Sequence, residues 1–374
     1  MKKPAHSLPV YLIFIVVSAV FILFIRHYLL SSFHLAPSPE NTALSTEETP
    51  TIEVVSGSEG NYIKWVDFNI TCDALSKAYQ LDVESYDKDV HLNWIELLAY
   101  AATKNGGSFD KNSVTLIEKL ANELTNGETT LDELTKDMDY YEYYLEAYEA
   151  VLGGMVGEYE IEQATESGNK VWKKVYGLKA FSPIAKGFPY NDYDDFGSSR
   201  SYGYKRQHLG HDMMGQIGTP IIAIESGYVE AIGWNQYGGW RIGIRSFDKK
   251  RYYYYAHLRQ NYPYALNLEE GSIVTAGDVI GYMGHTGYST VENTNNIDTV
   301  HLHWGLQLIF DESQKEGNNE IWIDCYALSQ FLYKNRSLTE KNTETKEWLR
   351  VYQMKDPAVS KYQNSLTDTQ TPSE

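Results

Sequence analysis

Residues His208 to Gly215 read HLGHDMMG, which places two histidines and an aspartate within five positions. A second cluster, HLH at residues 301 to 303, opens an apolar run. Imidazoles and carboxylates are ligands for divalent cations such as zinc, so the first question is which of these side chains can meet. Along an extended strand, successive side chains alternate between faces. His301 and His303 therefore share a face, about 7 Å apart along the backbone, and that face is either a site or a costly polar patch. If the segment around 208 is also extended, His208, Gly210 and Asp212 share one face and His211 points to the other. Period two thus pairs His208 with Asp212 and leaves His211 out. Gly210, between them, removes a side chain where an ion and a substrate approach the backbone. Two imidazoles and a carboxylate suit a zinc ion with an open fourth position, which is the catalytic arrangement rather than the structural one.

The wider distribution of histidine points the same way. Of ten, four (His6, His27, His34, His91) lie outside the glycine-punctuated part of the chain, and six lie inside it at 208, 211, 257, 285, 301 and 303. A lone His-x-His is more often a surface accident; the joint occurrence carries the weight. The elements that must position these residues read as short strands: PIIAIESGYVEAIGW, WRIGIRSF, RYYYYAHL, GSIVTAGDVIGYMG and VHLHWGLQLIF. Their period of two and their turn residues predict an all-β antiparallel domain, a two-layer sheet over residues 178–335, with SFDKKRYYYYAHL as a hairpin. Tyr204 and the tyrosines of RYYYYAHL are candidates to line a groove, but alternating tyrosines on a strand are first of all cross-strand packing pairs, and no catalytic role is assigned to them.

The motifs HLGHD, YAHL and HLH, in that order within a glycine-punctuated β unit, resemble those of the lysostaphin-like (LytM-type) zinc metallopeptidases, which are peptidoglycan endopeptidases. The resemblance covers about residues 180–312. It implies that His208, Asp212 and His303 bind one Zn²⁺ and that His257 and His301 flank it as catalytic groups, one to take a proton and one to stabilise a developing oxyanion. Which of the two is the base stays open. The implied reaction is hydrolysis, by metal-activated water, of peptide bonds in the stem peptides or cross-bridges of bacterial peptidoglycan. Three features depart from the family pattern. His211 stands where an apolar or small residue is usual, STVENTNNIDTVHLH carries a polar insertion in place of a short turn, and Gly305 replaces an acidic residue and is expected to open the cleft. His285, in GHTGYS, is expected to be a loop residue near the cleft. The rival function is a catalytically silent cell-wall or envelope scaffold of the same fold; the complete set of ligand and flanking histidines favours the enzyme.

Ahead of this unit, residues 61–170 read as an all-α domain. VHLNWIELLAYAATKNGG keeps a 3.6-residue apolar spacing and stops at Gly106 and Gly107, SVTLIEKLANELTNG has Ser113 placed to cap its start, and TLDELTKDMDYYEYYLEAYEAVLGGMVG predicts one further helix. Glu96 and Glu158 invite comparison with a glycosidase acid. LLAYAATKNGG faintly resembles the opening of lysozyme-like transglycosylase domains, but Lys104 stands where that family carries its glutamate. The domain is therefore read as structural or positioning, with Glu96 solvated, and as the place where an envelope protein partner would bind.

The formal net charge of −18 argues against a nucleic-acid partner, which would need a basic face. PVYLIFIVVSAVFILFI, following Lys2 and Lys3, predicts a transmembrane signal anchor over residues 9–30, with residues 1–8 cytoplasmic and the rest outside a bacterial cell membrane. A cleaved signal peptide is the competing reading, with a shorter apolar region and a small-residue cleavage site. Residues 31–60, rich in Pro, Ser, Thr and Glu, are expected to be a disordered stalk. Residues 336–374 are expected to be a polar tail with one helix. Cys72 and Cys325 are the only cysteines, and a disulfide and two thiols both remain open.

Overall fold

The computed structural model describes residues 62–201, 205–315, 317 and 319–368. The anchor at 9–30, the stalk at 31–60 and Tyr204 lie outside the described residues. Among those that are described, no helix is long and apolar enough to cross a membrane.

The helical part begins with α1 (Cys72–Ser85), α2 (Trp94–Asn105) and α3 (Lys111–Thr125). The Asn93 side chain caps α2 by accepting from the amides of Ile95 and Glu96, and Gly106, at φ 61°, ends it in the left-handed conformation that glycine adopts without a Cβ penalty. Helix α3 is capped by Asp110, not by Ser113. Ser113 sits three residues in and its hydroxyl accepts from the cap amide, so the expected start moves back by three positions. The segment predicted as one further helix is two, α4 (Leu131–Thr135) and α5 (Tyr141–Leu152). A second capping box at Thr130 starts the short one, and the polar stretch 136–140 separates the pair.

Helix ends at Leu152, and the rest of the predicted all-α span is a β-hairpin of β1 (Val156–Ala164) and β2 (Lys170–Leu178). Its alternating EYEIE and KVWKKV carry a strand period that the preceding helical pattern masks. The C-terminal segment departs from a plain polar tail as well. Thr339–Lys341 pairs with Trp348–Arg350, Met354–Lys355 adds a third strand to β1, and a helix follows over Pro357–Asp368. Arg350 is buried there, donating to the Ala276 carbonyl and to Asp278. Local polarity hid this because the segment's partners are far away in sequence.

The main sheet has eight antiparallel strands. In chain order it contains β3 (Asn191–Asp192), β4 (His211–Met214), β5 (Gly227–Asn235), β6 (Gly239–Ser246), β7 (Arg251–Ala256), β8 (Ile273–Val274), β9 (His301–Leu308) and β10 (Ile321–Ile323). In space they run β8-β5-β6-β7-β9-β4-β3, and β10 pairs with the second half of β9. A separate two-stranded sheet joins Pro220–Ile222 to Val279–Tyr282. Its Ile221 and Ile280 share one buried cluster with Ile242, Tyr253, Tyr255 and Leu302 of the main sheet, which supplies the expected second layer. The opposite faces of β6, β7 and β9 carry Arg241, Tyr252, Tyr254, His303 and Gln307, so alternation sorts core from site.

The helical and β parts belong to one compact unit, residues 57–374, rather than to two separate ones. Two polar nodes join them. Arg251, at the start of β7, holds Glu225 in a bidentate pair at 2.8 and 3.1 Å and donates to the carbonyl of Ala150 at the end of α5. The Tyr253 hydroxyl donates to the same glutamate at 2.7 Å. Asp82, 2 % exposed, accepts from the Trp94 amide and the Tyr176 hydroxyl and faces His91 Nε2. Around them, Trp94 stacks on Phe331 of the Tyr326–Leu332 helix, with Tyr79 edge-on. Both cysteines are free, and Cys325 is fully buried.

Glu225→Ala removes the bidentate partner of the buried Arg251 guanidinium and leaves it the half-exposed Asp248 at 2.8 Å. The expected result is a loss of roughly 3–5 kcal/mol in unfolding free energy, read from urea denaturation followed by circular dichroism.

Candidate metal centre and groove

Strand β9 lies between β4 and β7, and its register places His303 opposite Asp212 on one side and Ala256 on the other. His208 precedes β4 and reaches the same point. His208 Nε2 lies 3.0 Å from Asp212 Oδ1 and 2.9 Å from His303 Nδ1, and the latter is 2.9 Å from the same carboxylate oxygen. His208 Nδ1 donates to the Asp195 carbonyl, so Nε2 presents a lone pair to this triangle. A single proton on His303 Nδ1 can satisfy only one of its two close neighbours, whereas one cation satisfies all three donors. A tetrahedral zinc site has ligand-to-ligand edges of about 3.3 Å, a few tenths wider than this triangle. These three residues are a group able to hold a metal, and the donor chemistry fits zinc.

Burial pushes the Asp212 carboxyl up, but the His208, His303 and His301 imidazoles around it outweigh that and hold it well below the usual carboxylate range. Burial lowers His303 against the pull of Asp212, which keeps its imidazole in the neutral, ligating form.

His301 and His257 flank the triangle. His301 Nδ1 donates to the Thr299 carbonyl at 2.8 Å, and its Nε2 stands 3.7 Å from Asp212 Oδ1. His257 follows the last residue of β7, and strict alternation would send it into the core with Tyr253 and Tyr255. It adopts φ 61° instead, a strained value for a non-glycine residue, and that turn brings its ring 4.7 Å from His301 and 5.8 Å from His303. His257 Nδ1 donates to the Thr286 carbonyl at 2.9 Å, so Nε2 is free to accept a proton. Burial and the neighbouring His301 and His303 rings hold its pKa well below the ordinary imidazole value. It is therefore neutral near pH 7, the state a base requires.

The other candidates fall elsewhere. His211 is buried on the opposite face, with Nε2 at 3.0 Å from Asp192 and its ring edge-on to Tyr326. His285 Nδ1 donates to the Ile297 carbonyl, and the residue does not line the cavity at the centre. Glu96, expected to be solvated, is half-buried beside a cavity of about 570 Å³ in the helical part, and burial raises its pKa. Glu158 accepts from Tyr86 and pairs with Lys174.

Gly210 makes room for the His303 ring: a Cβ there would lie 2.5 Å from His303 Cε1 and 2.8 Å from the Trp304 carbonyl. Gly305 does not open the cleft as expected. The space above it is filled by the Trp322 ring, 2.9 Å from a built Cβ, and by the Leu209 carbonyl. The insertion after Ser289 folds onto the turn at 260–261, where Asn293 Oδ1 accepts from Trp240 Nε1 and the Asn261 amide and Gln260 donates to the Asn293 carbonyl.

Two residues that sequence reasoning missed support the centre. Asp195 faces His208 Nδ1, and Arg200 pairs with Asp195 while reaching Asp212 Oδ2 at 3.4 Å. Their signal was the acidic run NDYDD immediately ahead of a serine- and arginine-bearing hairpin.

An antiparallel sheet thus carries a His/Asp/His group able to hold a metal, with two further imidazoles beside it. Residues 206–316 match the model of Peptidase family M23, and the three histidine motifs lie within that match. Over 154 residues it is 37% identical to the L-Ala–D-Glu endopeptidase of Bacillus subtilis strain 168, spanning 41% of this chain and 44% of that protein. Over 98 residues it is 39% identical to lysostaphin of Staphylococcus simulans, spanning 26% of this chain and 17% of that protein. The chain thus matches less than half the length of these curated relatives. Among solved structures, a LytM chain from Ruminococcus gnavus overlaps 74% of this chain and 92% of its own, at 24% identity and a TM-score of 0.46.

His303→Ala is expected to abolish zinc binding, while His211→Ala keeps about one zinc per chain and costs about 1–3 kcal/mol of stability through the lost buried contact with Asp192, which retains Gln330. Metal content by mass spectrometry and a urea titration separate the two. Gly210→Ala should fold but weaken zinc affinity by about tenfold or more, because its Cβ displaces the His303 ring; a competition titration with a chromophoric chelator reads this.

Proposed function

We propose that this protein is a zinc endopeptidase that hydrolyses peptide bonds in the stem peptides or cross-bridges of bacterial peptidoglycan. The observation that carries the reading is the convergence of His208, Asp212 and His303 on one point with the His257 and His301 imidazoles beside it. The names of the curated relatives support a cell-wall peptide as the substrate. A silent scaffold would have no use for the strained His257 backbone or for a buried carboxylate shared by two imidazoles.

Zinc in this centre would activate a water for attack and polarise the scissile carbonyl. The chain's own residues do the rest. His208, through Nε2, and His303, through Nδ1, orient their ligand atoms, with Asp195 fixing the His208 tautomer. His257 and His301 each have the proton on Nδ1 committed to a backbone carbonyl, so both offer Nε2 to the reacting groups. His257, more deeply desolvated, is assigned as the proton acceptor, and His301, closer to Asp212, as the group that stabilises charge on the carbonyl oxygen once protonated. Tyr237, Tyr254 and Tyr288 line the cavity of about 180 Å³ around these imidazoles and limit the water that enters.

Residues 9–30 are proposed to anchor the chain in the bacterial cell membrane, with 31–60 as a spacer and the catalytic part outside. The helical part would then position that domain against the wall or an envelope protein.

Purified protein loaded with zinc should release peptide fragments from isolated sacculi, and the fragment masses name the bond. His257→Ala is expected to retain zinc but slow release by about 10²–10⁴-fold. Zinc-loaded wild type that releases no fragment from any wall type would remove the endopeptidase reading.

A further inference from the structure

We infer that the groove leading away from the metal centre is a carboxylate-binding subsite that selects an acidic peptide, with Arg241 as the residue that determines the selection. The inference rests on the peptide-hydrolase reading above and adds the substrate class.

The cavity at the centre continues into a second one of about 590 Å³; Arg206, His208, Tyr254 and His303 line both. The outward face of β6 and β7 forms the floor of this groove. Gly243 lets the Tyr252 ring lie down across the strands, since a Cβ at 243 would come within 1.9 Å of the Tyr252 hydroxyl. The floor is therefore aromatic and flat, suited to an extended peptide rather than to a compact ion.

Charge along the groove is distributed unevenly. Arg245, two pleat repeats along from Arg241 on the same face, is matched by Glu230 and Glu312. Lys315 is matched by Glu230 at 3.1 Å. Glu320, at the far end, accepts from Trp322 Nε1 at 2.8 Å. Arg241 pairs with no carboxylate among the described residues, and its Nε is buried without a hydrogen-bond partner. Arg206 repeats the pattern. Its guanidinium lies over the Tyr288 and Tyr237 rings at 5.0 and 5.9 Å and donates to the Tyr288 hydroxyl, yet it meets no carboxylate among the described residues and its Nε is also buried and unpartnered.

A chain with 50 acidic and 32 basic residues has ample carboxylates to pair two half-buried guanidiniums. Leaving both without a carboxylate beside the cavity costs desolvation that a ligand anion offsets. The planar guanidinium fork matches a carboxylate in two parallel hydrogen bonds, and the tyrosine rings fix the orientation of the Arg206 plane in advance. Arg206 borders the metal centre and Arg241 lies only in the outer groove, so Arg241 can be changed without touching the ligands.

The test uses a dye-labelled peptide containing an L-Ala–D-Glu bond, synthesised with the glutamate carboxylate free or converted to the carboxamide. Cleavage by the zinc-loaded full chain is measured for both. In parallel, binding of both is measured by fluorescence anisotropy on the zinc-loaded His257→Gln protein. The free acid is expected to be preferred by about ten- to a hundredfold, in KM more than in kcat, and in binding. Arg241→Gln should collapse that ratio toward unity at unchanged zinc content, and Arg241→Lys should restore part of it. Equal handling of acid and amide by the wild type overturns the subsite, as does a preference that survives Arg241→Gln. Acid-selective binding without cleavage of either peptide would keep the subsite and remove the hydrolase reading on which it rests.

Discussion

The antiparallel register of β9 against β4 is the constraint on which the rest of the site depends. His303 faces Asp212 across one ladder and Ala256 across the other, and these pairings bring residues 91 positions apart within hydrogen-bond distance. A slip of one residue would turn His301 and His303 into the core and Leu302 and Trp304 out to the groove. The apolar residues between the ligands prevent that slip. Leu302, Trp304 and Leu306 are fully buried, and Trp304 Nε1 is tied to Ser329. The His208, Asp212 and His303 group is thus held in place by the hydrophobic alternation of the strand that carries His303.

The same alternation gives the sheet two unlike faces. On one, Tyr253 and Tyr255 fill the core, and their hydroxyls are taken up by Glu225 and by the Ile224 amide. On the other, Tyr252 and Tyr254 line the floor of the groove. The buried Glu225 links the core face to the helical part through Arg251 and the last turn of α5. The helices are in this way an integral support of β7, the strand that delivers His257. They contact the base of that strand through Arg251, and none of their side chains lines the cavity.

His257 shows where local rules stop. YAHL reads as the end of a strand, and period two alone would bury its histidine. The backbone instead enters the left-handed region at that residue, held by a hydrogen bond from the His257 amide to the Gly238 carbonyl and one from Nδ1 to Thr286. Both partners come from other segments. The same limit explains the cap at Asp110, the break between α4 and α5, and the hairpin at 156–178. In each case a turn or a distant pairing overrode a local pattern that was otherwise correctly periodic.

The sequence by itself determined the residue types, the strand alternation, and through them the pairing of His208 with Asp212 on one face and the exclusion of His211 to the other. It also determined the family resemblance, since HLGHD, YAHL and HLH are local motifs, and the M23 match falls on the same residues. The tertiary structure alone decided that the Trp322 ring fills the space over Gly305, that Asp195 and Arg200 back the ligands, that the C-terminal segment completes a sheet with β1, and that Arg241 lacks a carboxylate partner among the described residues. Ligand identity follows from side-chain chemistry and a period that spans a few residues. Cavity shape and charge balance depend on which distant segments come to lie side by side, and that is set by packing of the whole core.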